Sequence, residues 1–350
     1  MIRRKITIFA LSVTVALFMA CQHDSQEDNK ASTPIRLAAT VGDMAVTRVS
    51  SVPVSVNESQ NEYFDANAFL RIYAYKTGTT TTVSNSKNDA NLTLGTKYKT
   101  QQYIRVDQEY RNTLDIIDNG REPTFPTDNG GAVDIVAVYP DPQLEKSTFT
   151  DTNESANPLT FTVQADQTTA AAYKASDLMT AYVTNKTKKP SPIIDLPFYH
   201  KMAKITITYK AGKGSPAITR AEILGIKRTV TFNRLTSEVS TPATGGDDAI
   251  LIYSNDDGSS DEYTASAVVP QQSQKSINTE FVKFTFFGGG TVAYKLEENL
   301  TLSPGKQYIY SFTVNADAVK CNANTIESWQ TGEARSYEDA SMGGNQVIDL

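Results

Sequence analysis

The sequence predicts an all-β protein built from β-sandwiches, and three features indicate this fold class. Short runs rich in Ile, Val, Tyr and Phe alternate apolar and polar residues with the period of two that half-buried strands show. Clusters of Asn, Asp, Gly, Ser and Pro separate these runs, as turns do between strands. The sequence holds no strong amphipathic helix longer than about two turns.

Five runs carry the strand pattern most clearly. They are Ala68–Lys76, Ala132–Pro140, Pro158–Asp166, Glu280–Gly290 and Lys306–Ala316. The second run is apolar almost throughout and ends at a proline, which is typical of a central strand. The three glycines that end the fourth run follow a strand but open no helix, so we predict a turn there and no phosphate site.

The N-terminus is typical of an export signal, predicted over residues 1–20. Arg3–Lys5 is basic, and the uncharged run Ile6–Ala20 has fifteen residues, fewer than the roughly 20 that span a bilayer as a helix. Ala20 followed by Cys21 resembles a bacterial lipobox, in which the cysteine thiol accepts a diacylglyceryl group. Phe18 stands where a lipobox usually has Leu, and the alternative is an ordinary signal peptide with a chance cysteine.

An acidic stretch follows Cys21 and contains Asp24, Glu27 and Asp28. Such a stretch resembles the signal that sends some lipoproteins of Gram-negative bacteria to the cell surface, and its alternative role is a solvated tether. We therefore predict a surface-exposed lipoprotein of the outer membrane. With Cys21 acylated, Cys321 has no partner in the chain, so the fold is predicted to depend on a buried core and not on disulfides.

His200 is one of only two histidines, and it lies in the run Asp195–Lys210. Leu196 and Phe198 share its face, but the apolar face switches near Met202, which predicts a bulge or a strand buried on both sides. The sequence suggests no Ser, Cys or carboxylate constellation around it. We predict a buried, hydrogen-bonded histidine at a domain junction and not a catalytic base.

Other chemistry is sparse. The formal net charge of −6 and the absence of a basic stripe argue against a nucleic-acid partner. The run Asn255–Glu262 clusters carboxylates, but it lacks the spacing of an EF-hand loop. We therefore predict a solvated loop there rather than a weak Ca²⁺ site. No hydrolase, zinc-protease or P-loop motif is present. We predict no catalytic residues, no metal, no cofactor and no enzyme.

The chain length suits about two domains of ~150 residues once the signal is removed. The polar, basic and proline-containing stretch Asn185–Pro192 is the predicted linker between them.

Five motifs follow one another along the chain: Ser176–Val183, Leu196–Tyr209, Val269–Pro270, the Pro304, Gly305, Lys306, Tyr308 and Tyr310 step, and the Ile326, Trp329 and Gly332 element. Their order and spacing resemble the fimbrillin family, whose members are surface lipoproteins and type V pilins of Gram-negative anaerobes. The resemblance implies two tandem transthyretin-like (Greek-key) β-sandwiches, at 49–190 and 191–335. Residues 21–48 would be the lipidated tether and a removable first strand, and residues 336–350 a tail.

The resemblance also implies a function: a structural or adhesive fimbrial subunit that mediates cell adhesion. In this family a trypsin-like protease cuts after an arginine and an early strand is removed. A terminal strand from the next subunit then fills the groove, which is a form of β-augmentation. The implied partners are other pilin subunits, the outer membrane through the lipid, and an unidentified surface receptor.

The segment Pro34–Arg48 supplies a strand that could be removed. Ile35, Leu37, Ala39 and Val41 share one face of it. We predict cleavage between Arg48 and Val49, because a cut at Arg36 would leave most of the strand in place. The alternative is that Arg48 is a surface arginine that no protease uses.

The C-terminal segment Ser336–Leu350 supplies a candidate donor strand. It contains the apolar residues Val347, Ile348 and Leu350, with Gly343 and Gly344 as a possible hinge. Its Gly, Asn and Asp content is equally compatible with a disordered tail. The alternative function for the whole protein is a monomeric surface lipoprotein that binds glycans, although such proteins usually expose aromatic platforms on loops.

Overall fold

A computed structural model describes residues 33–41, 68–84, 95–106, 109–117, 122–127, 131–141, 157–188, 193–240, 248–254 and 262–329 of the chain. The described part is almost entirely strands and their connections, with one helix, α1 (Ala170–Ala175). Thr169 caps this helix by accepting a hydrogen bond from the Ala172 N–H. The all-β class is confirmed.

Seven strands hydrogen bond in a closed ring, in the spatial order β1, β4, β3, β2, β5, β7, β8. Their bounds are β1 (Arg36–Val41), β2 (Phe69–Lys76), β3 (Thr96–Val106), β4 (Glu109–Ile116), β5 (Val133–Tyr139), β7 (Met179–Lys186) and β8 (Ile193–His200). The barrel interior is apolar and is filled from every side, by residues that include Ile35, Leu37, Ala39, Leu70, Ile72, Ala74, Ile135, Ala137, Ala181, Leu196 and Phe198.

The remaining strands form a sandwich and two small sheets. Their bounds are β6 (Leu159–Thr162), β9 (Met202–Ala211), β10 (Ile218–Ile226), β11 (Thr229–Phe232), β12 (Asp248–Ser254), β13 (Glu262–Pro270), β14 (Gln272–Lys275), β15 (Glu280–Phe286), β16 (Thr291–Lys295), β17 (Leu300–Leu302), β18 (Lys306–Val314) and β19 (Val319–Ser328). One four-stranded sheet has the order β12, β10, β15, β16 and the other β13, β9, β18, β19. Strand β6 pairs with β11, and β14 pairs with β17.

Aromatic side chains hold the two four-stranded sheets together. The Phe284 ring of β15 lies 5.8 Å from the Phe312 ring of β18 in an edge-on arrangement. Phe281 meets Tyr310 in the same way, with ring centroids 5.7 Å apart. The face predicted for β18 is the face that enters this core, since Tyr308, Tyr310, Phe312 and Val314 are all buried. The sandwich is therefore built by period-two alternation.

Strand β5 lies between two apolar cores, which explains why its sequence is apolar on both faces. Ile135 and Ala137 pack inside the barrel, whereas Val136 and Val138 pack in the core shared with the sandwich. Tyr73 and Tyr75 of β2 join the second set from the outer face of the barrel. The central position predicted for this strand is confirmed, because it pairs with β2 on one side and β7 on the other.

The chain passes from the barrel to the sandwich at Lys201, the one residue between β8 and β9. Strand β8 alternates buried and exposed positions, whereas β9 is buried at six consecutive residues from Met202. This explains the switch of apolar face that the sequence shows near Met202. The predicted linker Asn185–Pro192 begins with the last two residues of β7 and ends just before β8, and both are barrel strands. The division into two domains stays a prediction.

The glycines after β15 form the turn that the sequence predicts. In this turn the Phe286 N–H donates to the Gly290 carbonyl at 2.8 Å. Gly288 and Gly289 there have φ values of 93° and 94°, which glycine adopts without strain. In the described part, no helix has the length and apolarity needed to cross a membrane.

Neighbouring phenylalanines test the sandwich core. Phe284 is fully buried, whereas Phe287 is 64% exposed. We expect Phe284→Ala to lower the free energy of unfolding by about 3–5 kcal/mol, because it removes a ring from a packed core. Phe287→Ala, the control, should change it by less than about 0.5 kcal/mol. Urea unfolding measures both, and equal effects would contradict the packing described.

Candidate functional site

The first strand, β1, completes the barrel. It runs parallel to β8 over six residue pairs, from Arg36 opposite Ile193 to Val41 opposite Phe198. On its other side it pairs antiparallel with β4, with Ala39 opposite Asn112. We call the space between β4 and β8 that β1 fills the β1 seam. Without β1, two strands would each present an unpaired edge to this seam.

Alternate side chains of β1, together with Ile35 just before it, fit the barrel interior. Ile35, Leu37 and Ala39 are buried in the barrel core, where they meet residues of β8 such as Leu196 and Phe198. This is the face that the sequence predicts for them. The side chain of Arg36 between them is exposed. The strand therefore offers apolar anchors inward and a charge outward, as a strand at a barrel wall should.

The residues just before β1 are held as well. The Ile35 N–H donates to the Pro123 carbonyl at 2.8 Å, and the Phe125 N–H donates to the Thr33 carbonyl at 2.9 Å. Thr124, between these partners, donates its hydroxyl to the Ser84 carbonyl at 3.0 Å. The N-terminal end of β1 is thus joined to a segment outside β4 and β8.

Most site residues predicted from the sequence lie outside the described residues. These are the lipidation residue Cys21, the cleavage pair Arg48 and Val49, and the donor residues Val347, Ile348 and Leu350. Each of these assignments stays a prediction. Of the predicted strand, β1 covers Arg36–Val41, and Arg48 follows its last described residue by seven positions.

His200 forms a second constellation, at the end of β8. Its ring is stacked on the Trp329 indole, with centroids 3.8 Å apart and 12° between the planes. Its Nδ1 lies 2.9 Å from Oδ1 of Asp177. Only 2% of His200 is exposed, so the predicted buried and hydrogen-bonded histidine is confirmed. The Asp177 partner corrects the expectation that no carboxylate stands near it.

The Asp177–His200 pair does not form a catalytic triad. The Nε2 atom of His200, where a triad nucleophile would bond, is buried and has no hydrogen-bond partner in the described part of the chain. A triad needs a Ser, Cys or Thr hydroxyl or thiol at that nitrogen. The aspartate therefore orients the imidazole against the indole, which is a structural role.

Other motifs of the chain meet at this place, which we call the His200 junction. The Gly305 N–H donates to the Met202 carbonyl at 2.8 Å, and the Trp329 N–H donates to the Gly305 carbonyl at 2.9 Å. Gly305 has a φ of 65°, so the Pro-Gly turn needs its glycine. Pro270 pairs with Met202 across the β13–β9 ladder. Segments far apart in sequence are thus joined at the start of β9.

Lys201 links the junction to the strand before it. Its N–H donates to the Leu178 carbonyl at 2.8 Å, next to Asp177. Burial lowers the pKa of the Lys201 ammonium, and the Glu238 carboxylate partly offsets this by favouring the charged form.

A buried ion pair in the barrel had no signal in the sequence. Arg71 donates from Nε and Nη2 to the two oxygens of Asp141, at 3.0 Å and 2.9 Å. Both side chains are nearly inaccessible to solvent. Further along β2, burial raises the pKa of the Tyr75 hydroxyl to about 12. The two charged residues are seventy positions apart, so only the fold brings them together.

The acidic run Asn255–Glu262 can be assessed only at its end. Residues 255–261 lie outside the described residues, and Glu262 stands opposite Lys210 in the β13–β9 ladder. Within the described ranges, no three His, Cys, Asp or Glu side chains are grouped so that they could hold a metal ion. Cys321, on β19, is a free thiol whose pKa is raised by burial.

The chain matches the model of the fimbrillin-like family over residues 47–329. It therefore belongs to the fimbrillin-like family, and the resemblance noted from its motifs is confirmed. Proteins of this family are structural or adhesive, and the chain is not an enzyme. No curated protein matches it.

Solved structures of two candidate cell adhesion proteins share the fold, with TM-scores above 0.5. A candidate cell adhesion protein from Bacteroides uniformis is 22% identical with a TM-score of 0.56, over 85% of this chain and 98% of that one. A candidate cell adhesion protein from Bacteroides ovatus is 15% identical with the same TM-score and the same coverage. The C-terminally truncated tip fimbrial protein Mfa3 from Porphyromonas gingivalis is 10% identical over 84% of this chain and 99% of that one, with a TM-score of 0.44.

The His200 junction can be tested by its stability. We expect His200→Ala to lower the free energy of unfolding by about 2–3 kcal/mol, because the stack on Trp329 and the bond to Asp177 are lost together. The fluorescence of Trp329, the single tryptophan, reports the transition in urea. Tyr182→Ala, an exposed aromatic on β7, is the control and should have little effect. An unchanged midpoint for His200→Ala would contradict the structural role.

Proposed function

We propose that this chain is a subunit of a surface fimbrium that mediates cell adhesion and assembles by strand exchange. In this proposal the chain is exported as a lipoprotein acylated at Cys21 and is cut between Arg48 and Val49. It then loses β1 and accepts a strand from the next subunit at the β1 seam. Membership of the fimbrillin-like family supports the fimbrial role.

One observation carries the exchange mechanism: the barrel is closed by its own first strand, from the very start of the described chain. Because β1 is the first described strand, a cut after it leaves the other described strands of the barrel joined in one chain. The seam would then expose two strand edges and the pockets of Ile35 and Leu37. Each such side chain contributes about 1.5–3 kcal/mol when it is buried again by a substitute strand.

The position of the two arginines supports a cut at Arg48. The backbone of Arg36 lies inside β1, in register with Ile193 of β8. A protease binds its substrate as an extended, unpaired segment, so a strand within a barrel is a poor substrate. Arg48 follows β1, and a cut there separates the entire strand from the barrel strands that come later.

The C-terminal donor is supported by a sequence match to β1. Ile348–Asp349–Leu350 repeats the pattern of Ile35–Arg36–Leu37, with two large aliphatic residues around a charged one. In β1 the aliphatic residues are buried and the arginine is exposed. A donor in the same register would place Ile348 and Leu350 in the pockets of Ile35 and Leu37.

The alternative, a glycan-binding surface lipoprotein, would need an exposed aromatic platform. Among the residues whose side chains the structure describes, the exposed aromatic residues are Phe69, Tyr182 and Phe287. They belong to three different elements: β2, β7 and the turn after β15. Capture on immobilised polysaccharides, compared with electron microscopy of the cell surface, separates the two functions.

The cut can be checked on the assembled material. We expect N-terminal sequencing of fimbriae recovered from cells to begin at Val49, because β1 must leave before a substitute strand can enter. Arg48→Gln should abolish the cut and the fimbriae, whereas Arg36→Gln, the matched control, should change neither. A mature subunit in fimbriae that still begins at Cys21 would contradict the proposal.

The donor can be checked by substitution. We expect the double variant Ile348→Asp and Leu350→Asp to form no fimbriae, because two carboxylates cannot occupy apolar pockets. Asp349→Ala should assemble normally, since that side chain would point outward. Deletion of Tyr337–Leu350 should likewise leave a folded monomer that does not polymerise. Fimbriae of normal number from the double variant, seen by electron microscopy, would place the donor elsewhere.

A further inference from the structure

We propose that the β1 seam is a peptide-binding site that keeps hold of β1 after the chain has been cut. Its ligand is the protein's own leading segment, an extended peptide that runs parallel to β8. The proposal rests on the cleavage proposed above, but it concerns the step that follows. The cut subunit would be a stable complex of two chains and not an empty groove.

The contacts that hold β1 do not need its downstream connection. Six residue pairs join it to β8, and a shorter ladder joins it to β4. Two more backbone hydrogen bonds fix Thr33 and Ile35 to Phe125 and Pro123. Hydrolysis at Arg48 adds water across one peptide bond and leaves a carboxylate and an ammonium group. Both new ends lie beyond Val41, so every one of these contacts survives the cut.

The side chains of β1 add selectivity to this binding. Ile35 and Leu37 are 0% and 5% exposed in the barrel core. Ala38 and Ala39 follow and are 2% and 0% exposed, although they lie on opposite faces of the strand. The seam therefore accepts large aliphatic residues at two alternate positions and then requires two successive small ones. A random unfolded peptide would not meet this requirement.

Retention has a consequence for the membrane anchor. The segment that contains β1 also contains Cys21, the residue predicted to carry the lipid. After the cut, the body of the subunit would remain at the membrane through the non-covalent hold of the seam on β1. A competing strand would speed its release. Detachment from the anchor and capture by a growing fimbria would thus be one event, and cleaved subunits would not diffuse away.

The proposal can be tested without the natural protease, by cutting the chain at an introduced site. The chain from Gln22, which keeps every described residue, carries a fluorophore at its N-terminus in place of the lipid. Residues 45–51 are replaced by the recognition sequence of a site-specific protease. After complete cleavage, we expect the fluorophore to co-elute with the body of the protein in gel filtration under native conditions. Elution of the fluorophore as a free peptide would overturn the proposal.

Variants of β1 show whether the seam causes the retention. Leu37→Ala should release the labelled fragment at least about tenfold faster than the wild type, because it removes a buried anchor. Arg36→Ala, on the exposed face of the same strand, should release it at the wild-type rate. Release at one common rate from all three proteins would mean that the seam does not hold the fragment. Folding of each uncut variant is checked first by circular dichroism.

Competitor peptides test the selectivity of the β1 seam without any substitution in the protein. Excess synthetic peptide of residues 33–41 should displace the labelled fragment from the wild-type complex, and a peptide of the same composition in shuffled order should not. Equal displacement by both peptides would overturn the selectivity of the seam. The peptide Ser336–Leu350 is tested in parallel. If this peptide does not displace the fragment but the peptide of residues 33–41 does, the donor assignment is wrong, whereas the proposed retention of β1 is still supported.

Discussion

The whole structure depends on the parallel pairing of β1 with β8. A barrel has free strand edges as soon as its ring is open. In this protein the strand that closes the ring is β1, the first described strand. Because its neighbour β8 lies more than 150 residues further on, the closure joins the beginning of the barrel to its end. A backbone that is buried at such a closure must find hydrogen-bond partners, so any replacement for β1 must itself be an extended strand.

Strand β8 connects this seam to the rest of the molecule. Its edge pairs with β1, and its last residue, His200, is stacked on Trp329 beyond the end of β19. The last described residue, Trp329, is therefore fixed at the end of the strand that borders the seam.

Local patterns predicted the strands, but not how they close. Alternation placed Ile35, Leu37 and Ala39 on one face, and the continuous apolar run of β5 indicated a central strand, because burial repeats with the strand period. The closed barrel could not be read in the same way, since closure depends on register between distant strands. The partners of His200 and the Arg71–Asp141 pair were unpredictable for the same reason. Periodicity predicts which face of a strand is buried, but it does not predict which residues that face packs against.

Strand exchange is tested most directly by the structure of an assembled fimbria of this protein at a resolution that shows side chains. The observation that matters is the identity of the strand between β4 and β8. We expect that strand to come from a neighbouring subunit, with large aliphatic side chains in the pockets that Ile35 and Leu37 fill in the single chain. Residues 36–41 of the same subunit in that position, within a polymer, would contradict strand exchange.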